Sequence, residues 1–202
     1  MGTTSLPVKD FPRLPSREVA IEEYLNQFPE TGSLSQLKKD WFYWTNYSRS
    51  NPKRFYDSIV EPLLKSFPNL RNSYSISLKK DLYNTKPLPL LRPNTSLDKI
   101  AQTFAAEMAS KKASPSHTSP SGTTFQSRME SAKIQKCAGE NISFGPDNPV
   151  LMLVLLYIDE GVPDLGHRKS LLDPNFVEMG IGIGQYPDKK LMVIQDFACA
   201  QR

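Results

Sequence analysis

Histidine and cysteine are both scarce in this chain, with two of each in 202 residues. So few cysteines exclude a disulfide-dense scaffold and a zinc-finger array. Any chemistry that needs imidazole has only His117 and His167 to use. Long apolar runs are also missing: the longest, residues 150–158, falls well short of the roughly 20 residues that a membrane-spanning helix needs. Residues 1–8 carry neither a basic nor an apolar stretch, so no signal peptide is expected, and the Met-Gly start has Leu6 where a myristoylation site wants Ser or Thr. Basic runs never exceed a pair (Lys38-Lys39, Lys79-Lys80, Lys111-Lys112, Lys189-Lys190), and the net charge is only +4. A nucleic-acid surface needs a denser basic stripe, because affinity grows with the number of phosphates neutralised, so no nucleic-acid partner is expected.

What is present is the balance of a globular domain, 39% hydrophobic and 23% charged residues, cut into segments by 17 prolines. Residues 1–15 read as an irregular arm. A short helix is expected over 16–28, broken at 29–33, and a second over 35–50 with Leu37, Trp41 and Trp44 at helical spacing. Asn51-Pro52 reads as a cap followed by proline at the first helical position, and Pro62 should kink the helix behind it. Residues 67–95 read as a long, proline-punctuated connection. The clearest helix follows Ser96, where Leu97, Ile100, Ala101, Phe104, Ala105 and Met108 share one face, with its stop at Lys111-Lys112. After a Ser/Pro/Gly loop holding His117 come a short helix over 125–134 and a strand around 141–144. Asp147-Asn148-Pro149 starts a helix that is apolar on nearly every side, which Gly161 should end. Two β-type stretches, 176–185 and 191–199, flank a turn at Tyr186-Pro187-Asp188 and form a hairpin signal. Helices first and strands later, paired antiparallel, make the class α+β.

Several familiar motifs fail. Gly180-Ile181-Gly182-Ile183-Gly184 lacks the helix that a dinucleotide loop must open, and reads instead as a strand that a neighbour approaches closely. No Gly-x-Ser-x-Gly elbow and no His-Glu-x-x-His helix occur, so neither a standard serine hydrolase nor a zincin is supported. Ser116 and Ser170 lie beside the histidines, and sequence neighbours seldom have nucleophile-to-base geometry, so both read as structural. The remaining constellation is His117, Glu140, Asp159, Glu160 and His167. Two imidazoles with two or three carboxylates suit one pocket, holding a divalent metal or working as general base and acid.

The words around these residues carry more than their spacing. His117…Gly122…Arg128, Gly139-Glu140-Asn141-Ile142, Gly166-His167-Arg168, Gly180-Ile181-Gly182 and Gln195-Asp196-Phe197 occur in order, preceded by Asn46-x-x-Arg49-x-Asn51-Pro52. In this the chain resembles the CAP superfamily of cysteine-rich secretory proteins, antigen 5 and plant pathogenesis-related proteins, and within it the bacterial and protist SCP-like branch. The resemblance covers residues 34–200 and leaves 1–33 as an N-terminal, partly helical extension before a domain over 34–202. It implies a three-layer α-β-α sandwich with a central antiparallel sheet and a cleft holding a His/Glu/Glu/His tetrad. His117, Glu140 and His167 match that tetrad directly. The second acid is Asp159 or Glu160, with some weight on Glu160 because the family places an acid just before Gly-Val-Pro.

The resemblance further implies a secreted or cell-surface module that binds lipids such as sterols, small molecules or proteins. Zinc or another divalent metal would sit on His117 and His167, and no organic cofactor is implied. No catalytic residue is established; if the family's suggested hydrolysis occurs here, Glu140 and Glu160 are the candidate bases for a metal-bound water. A structural interaction domain with a relic tetrad is the third reading. The chain departs from the animal and plant branch at Arg168-Lys169-Ser170, where that branch has aromatic-Thr-Gln, and in its cysteines. Cys137 and Cys199 can bridge across the sheet or stay as two buried thiols.

Overall fold

Side-chain caps open six of the ten α-helices among the described residues. A computed structural model describes residues 11–201; the stretch examined for a signal peptide and a myristoylation site lies outside it. α1 (Val19–Asn26) and the short α2 (Pro29–Ser33) lead to α3 (Gln36–Ser50), capped by the Ser35 hydroxyl, which accepts from the Lys38 N–H. Asn51 accepts from the Arg54 N–H and Pro52 takes the first position of α4 (Pro52–Phe55). The chain then runs through a π turn, Tyr56–Val60, into α5 (Glu61–Ser66). The kink expected of Pro62 takes this form. Proline has no N–H to return to Ser58, and the turn widens so that Glu61 N–H reaches back to the Tyr56 carbonyl.

Residues 67–95 are not a plain connection. They contain a 3-10 turn (Pro68–Leu70) and α6 (Ser73–Asn84), opened by a capping box between Asn72 and Ser75 and anchored by buried Leu78 and Leu82. β1 (Arg92–Pro93) and α7 (Thr95–Ser110, capped by Asn94) follow, then α8 (Phe125–Ser131), β2 (Ala138–Gly145) and α9 (Pro149–Ile158). α10 (Gly166–Leu172), β3 (Glu178–Gln185) and β4 (Leu191–Ala198) complete the order. Gly161 is not what stops α9. The chain already leaves the helix at Asp159, which has φ 59 and ψ 38.

The strands lie in the order β1-β3-β4-β2. The expected hairpin is β3–β4, and β2 pairs antiparallel with the other edge of β4. β1 departs from the antiparallel expectation, pairing parallel with β3 over two residues. β4 is buried along its whole length, and its alternate residues serve two cores. Val193 and Phe197 face a large core with Trp41, Tyr43 and Leu153, whereas Met192 and Ile194 face Ala101, Phe104, Ala105 and Met108 of α7. Helices therefore cover both faces of the sheet: α7 on one, α3 and α9 on the other. α1 belongs to the larger core through Ile21 and Leu25, and its Glu18 N-cap donates to the Tyr43 hydroxyl at 2.6 Å. Among the described residues no helix is long and apolar enough to cross a membrane.

Cys137 and Cys199 form a disulfide where β2 and β4 end, with Cα atoms 5.4 Å apart and the Cys199 N–H donating to the Cys137 carbonyl at 3.0 Å. The bridge spans 62 residues of sequence. On the chain-entropy model such a closure contributes about 4 kcal/mol. Urea unfolding of Cys137→Ala/Cys199→Ala should show a loss of that order; a midpoint equal to the unaltered protein's would mean the thiols contribute nothing as a bridge.

Candidate functional site

His117 lies on the loop between α7 and α8. Two turns of backbone hydrogen bonding shape that loop: Ser119 N–H to the Thr123 carbonyl at 2.9 Å, and Gly122 N–H to the Ser119 carbonyl at 2.8 Å. Gly122 has φ 89, which a side chain would strain. Arg128, from α8, spans the gap between loop and sheet. Its Nη1 donates to the carbonyls of His117 and Thr123, each at 3.2 Å, its Nη2 pairs with Glu140 Oε2, and its guanidinium lies 3.6 Å from the centre of the Phe104 ring. Glu140 Oε1 meets His117 Nδ1 at 2.7 Å. A carboxylate only accepts, so Nδ1 carries a proton, and in the neutral ring Nε2 carries the lone pair. The Glu140 side chain is 1% exposed and the His117 side chain 57%, so a buried carboxylate orients an imidazole that faces solvent.

The second pair is built from a helix end. Because Asp159 leaves α9 in the left-handed conformation, its carboxylate turns onto the start of α10. Oδ2 accepts the backbone N–H groups of His167 at 3.0 Å and Arg168 at 3.1 Å, and Oδ1 meets His167 Nδ1 at 2.6 Å. The Asp159 side chain is 1% exposed and that of His167 is 21%. Glu160, the adjacent acid favoured from the family pattern, is exposed, so Asp159 and not Glu160 is the partner of His167. The 100° separation of consecutive residues governs a helix, and the helix ends before either acid. Arg168 holds this corner together. Buried, it donates to the carbonyls of Tyr157 (2.7 Å), Ile158 (2.8 Å) and Tyr74 (2.9 Å), and to Ser77 Oγ and Asp81 Oδ2, both at 2.9 Å.

The pairs His117–Glu140 and Asp159–His167 meet through β2. Glu140 shares a face of the sheet with its Cα partner Asp196, towards α7 and α8. The next residue, Asn141, points the other way and its Nδ2 donates to the His167 carbonyl at 3.2 Å. The site is thus two imidazole–carboxylate pairs, each set against the edge strand, and no hydrogen bond joins one pair to the other among the described residues. Neither Nε2 has a hydrogen-bond partner there. Ser116 and Ser170 are structural in this arrangement: Ser116 Oγ accepts the Thr118 N–H at 3.1 Å, and Ser170 Oγ donates to the Gly166 carbonyl at 3.0 Å.

Three residues with parts to play here stood in the sequence only as words of a motif. Arg128 is the joint between loop and strand. Arg168 braces α6, α9 and α10. Asp196 is fully buried beside Glu140; burial first, and then the Glu140 charge, push its carboxyl well above the usual carboxylate range. The signal that would have found Asp196 is an acid in a run otherwise suited to a buried strand, Met192-Val193-Ile194-Gln195-Asp196-Phe197.

A divalent cation can be tested against the donors. An imidazole whose Nδ1 is tied to a carboxylate and whose Nε2 is free has the form in which histidine ligates metals. Among the described residues, however, no three His, Cys, Asp or Glu side chains gather into a cage. The described residues therefore form no metal cage of their own.

Solved structures similar to this chain include an extracellular protein containing an SCP domain from Bacillus anthracis str. Ames (27% identical, TM-score 0.46, covering 63% of this chain and 39% of that one). An outer surface protein of Borrelia burgdorferi is 20% identical (TM-score 0.45, 63% of this chain and 90% of that one). Venom allergen-like protein 4 of Schistosoma mansoni is 13% identical (TM-score 0.49, 84% and 92%). This chain spans only 39% of the length of the Bacillus protein. Among curated proteins, none matches. The model of the cysteine-rich secretory protein family, CAP, matches residues 45–197, which takes in Asn46, both histidine pairs, the glycine row of β3 and Phe197 of β4. With most of its length inside that match, the chain belongs to the cysteine-rich secretory protein (CAP) family.

Proposed function

We propose that this protein is an extracellular CAP-domain binding module whose functional groups are the two imidazole–carboxylate pairs, taking a divalent cation or a small ligand on the Nε2 atoms of His117 and His167. The observation that carries the reading is the state of the imidazoles. Each is oriented through Nδ1 by a carboxylate whose side chain is 1% exposed, and each leaves Nε2 without a partner among the described residues. Holding two rings this way costs the burial of two carboxylates. The extracellular setting is what family membership implies, and it agrees with the one disulfide.

Binding is favoured over hydrolysis by the carboxylates. Both oxygens of Glu140 are engaged, one by His117 and the other by Arg128, so Glu140 is poorly placed to take a proton from water. Both oxygens of Asp159 are engaged as well. A bound cation would supply a positive centre for an anionic ligand, while the chain's own residues orient the rings and fix their tautomers.

Zinc titration by calorimetry is the test. The unaltered protein should bind, and His117→Ala/His167→Ala should lose the heat entirely. Affinity should also fall on mild acidification, since protonated imidazole does not ligate. Equal heats for the two proteins would sink the cation site.

A further inference from the structure

Asp196 sits at the centre of the sheet with no stated task. Both of its carboxylate oxygens are buried and lack a hydrogen-bond partner among the described residues. β4 places it directly opposite Glu140 across the β2–β4 pair and opposite Gly180 across β3–β4. Gly180 offers no side chain, and α7 covers that side with the backbone at Leu97 and Asp98. The charged groups facing Asp196 are therefore Glu140 from β2 and Arg128 from α8, with His117 beyond Glu140. Asp98, on α7, is already taken by Lys38 at 2.8 Å and by the Ile181 N–H at 3.3 Å.

Two ionised carboxylates cannot share this space. One guanidinium, Arg128, stands against them; its Nη2 is committed to Glu140 Oε2, its Nη1 to two carbonyls, and its buried Nε makes no hydrogen bond to Asp196. A carboxylate has no hydrogen to offer, so an ionised Asp196 would stay buried, charged and unbonded, a state that costs several kcal/mol. A single proton resolves every count at once. It neutralises Asp196, turns it into a donor, and gives it the one acceptor within reach.

We propose that Asp196 is the positioning acid of the His117–Glu140 pair: a buried, neutral carboxyl that donates its proton to Glu140 and holds that carboxylate in place for His117. This inference deepens the binding reading, since it concerns what keeps one of its two imidazoles oriented. Glu140 then receives donors from three directions: Arg128, His117 and Asp196. Its single negative charge is balanced by Arg128, and the His117 Nδ1–H donates to its other oxygen. Asp159 needs no such support, because two backbone N–H groups already hold it.

The test compares Asp196→Asn, which keeps a donor at the same place, with Asp196→Leu, which removes it. The His117 tautomer is read by long-range proton–nitrogen correlation, and His167 serves as the internal control. The Nδ1–H form of His117 should persist in Asp196→Asn and give way to the Nε2–H form in Asp196→Leu, while His167 stays unchanged in both. In parallel, infrared spectra of the unaltered protein should show a carboxylic-acid C=O band at neutral pH that disappears in Asp196→Asn. That measurement needs no disruptive variant.

The pH profile has a definite sign. An acid whose folded pKa is raised binds more protons folded than unfolded above its ordinary value of 3.8, so it loses stability as pH rises through the raised value. Asp196→Asn should remove that decline and hold its unfolding midpoint where the unaltered protein's falls. Parallel pH profiles, no acid band, or a His117 tautomer that ignores Asp196→Leu would each overturn the proposal. None of these readouts uses a metal, so failure of zinc to bind would count against the binding reading alone.

Discussion

Arg49→Met should cost the protein about 2–6 kcal/mol, a large part of the stability of an ordinary domain. Arg49 is fully buried at the end of α3, and its hydrogen bonds all go to main-chain carbonyls. Nε donates to Pro89 at 3.0 Å, Nη1 to Leu171 at 2.8 Å, and Nη2 to Asp173 at 3.1 Å and Phe176 at 2.8 Å. Three stretches of chain are clipped together: the approach to β1, the end of α10 and the approach to β3. Methionine fills similar volume but leaves the buried carbonyls of Leu171 and Phe176 without a donor, at about 1–3 kcal/mol each before any water enters, while Pro89 and Asp173 lie closer to solvent. Burial already pulls the Arg49 guanidinium below its usual pKa, and nearby Tyr157 and Asp173 only partly oppose this. Lysine should rescue little, because one ammonium cannot reproduce a planar fork. Urea denaturation gives the value directly; a loss under about 2 kcal/mol would show that the carbonyls find other donors.

A single methyl group on β3 should do comparable damage. Gly182→Ala is expected to destabilise by about 4 kcal/mol or more, above the usual cost of overpacking, because what stands in the way is backbone. A Cβ at Gly182 would lie 2.0 Å from the Ala101 carbonyl oxygen. The same holds one pleat away on either side: Gly180 meets the Leu97 and Asp98 backbone at 2.2 Å, and Gly184 meets the Ala105 carbonyl oxygen at 2.2 Å. Alternate glycines on β3 thus face Leu97, Ala101 and Ala105 at four-residue intervals on α7, and helix backbone rests on strand backbone. A methyl would lift α7 and unpack Phe104 and Met108, along with the Phe104 ring on which Arg128 lies. Gly32→Ala, with nothing within 4 Å of its Cβ, is the control and should be near neutral. Equal unfolding midpoints for the two variants would refute the close-packing account.

Much of the fold could be read before any coordinates. Asn51-Pro52 and Asn148-Pro149 are local signals, and both cap helices as expected. The apolar stripe of α7 and the β3–β4 hairpin also depend only on residues close in sequence, and both are present. α6 was missed because two buried leucines and an Asn-Ser capping box are faint beside the prolines that flank them. The π turn before Pro62 was legible as a kink but not in kind, since the form depends on which carbonyl the Glu61 N–H can reach.

The site divides along the same line. Sequence alone determined the two histidines as the only imidazoles, and the resemblance carried by its ordered motifs pointed to the family, to Glu140 and to an acid near the end of α9. Tertiary structure decided the rest. Asp159 rather than Glu160 meets His167, since a left-handed residue at the helix end turns the carboxylate. The cysteines are bridged because β2 and β4 end side by side. Asp196 acquires its place because strand register sets it opposite Glu140, fifty-six positions earlier in the chain. Which strand from far along the chain lies beside β4, and which side chains then face each other across the pair, is set by packing between distant segments that no local pattern of residues encodes.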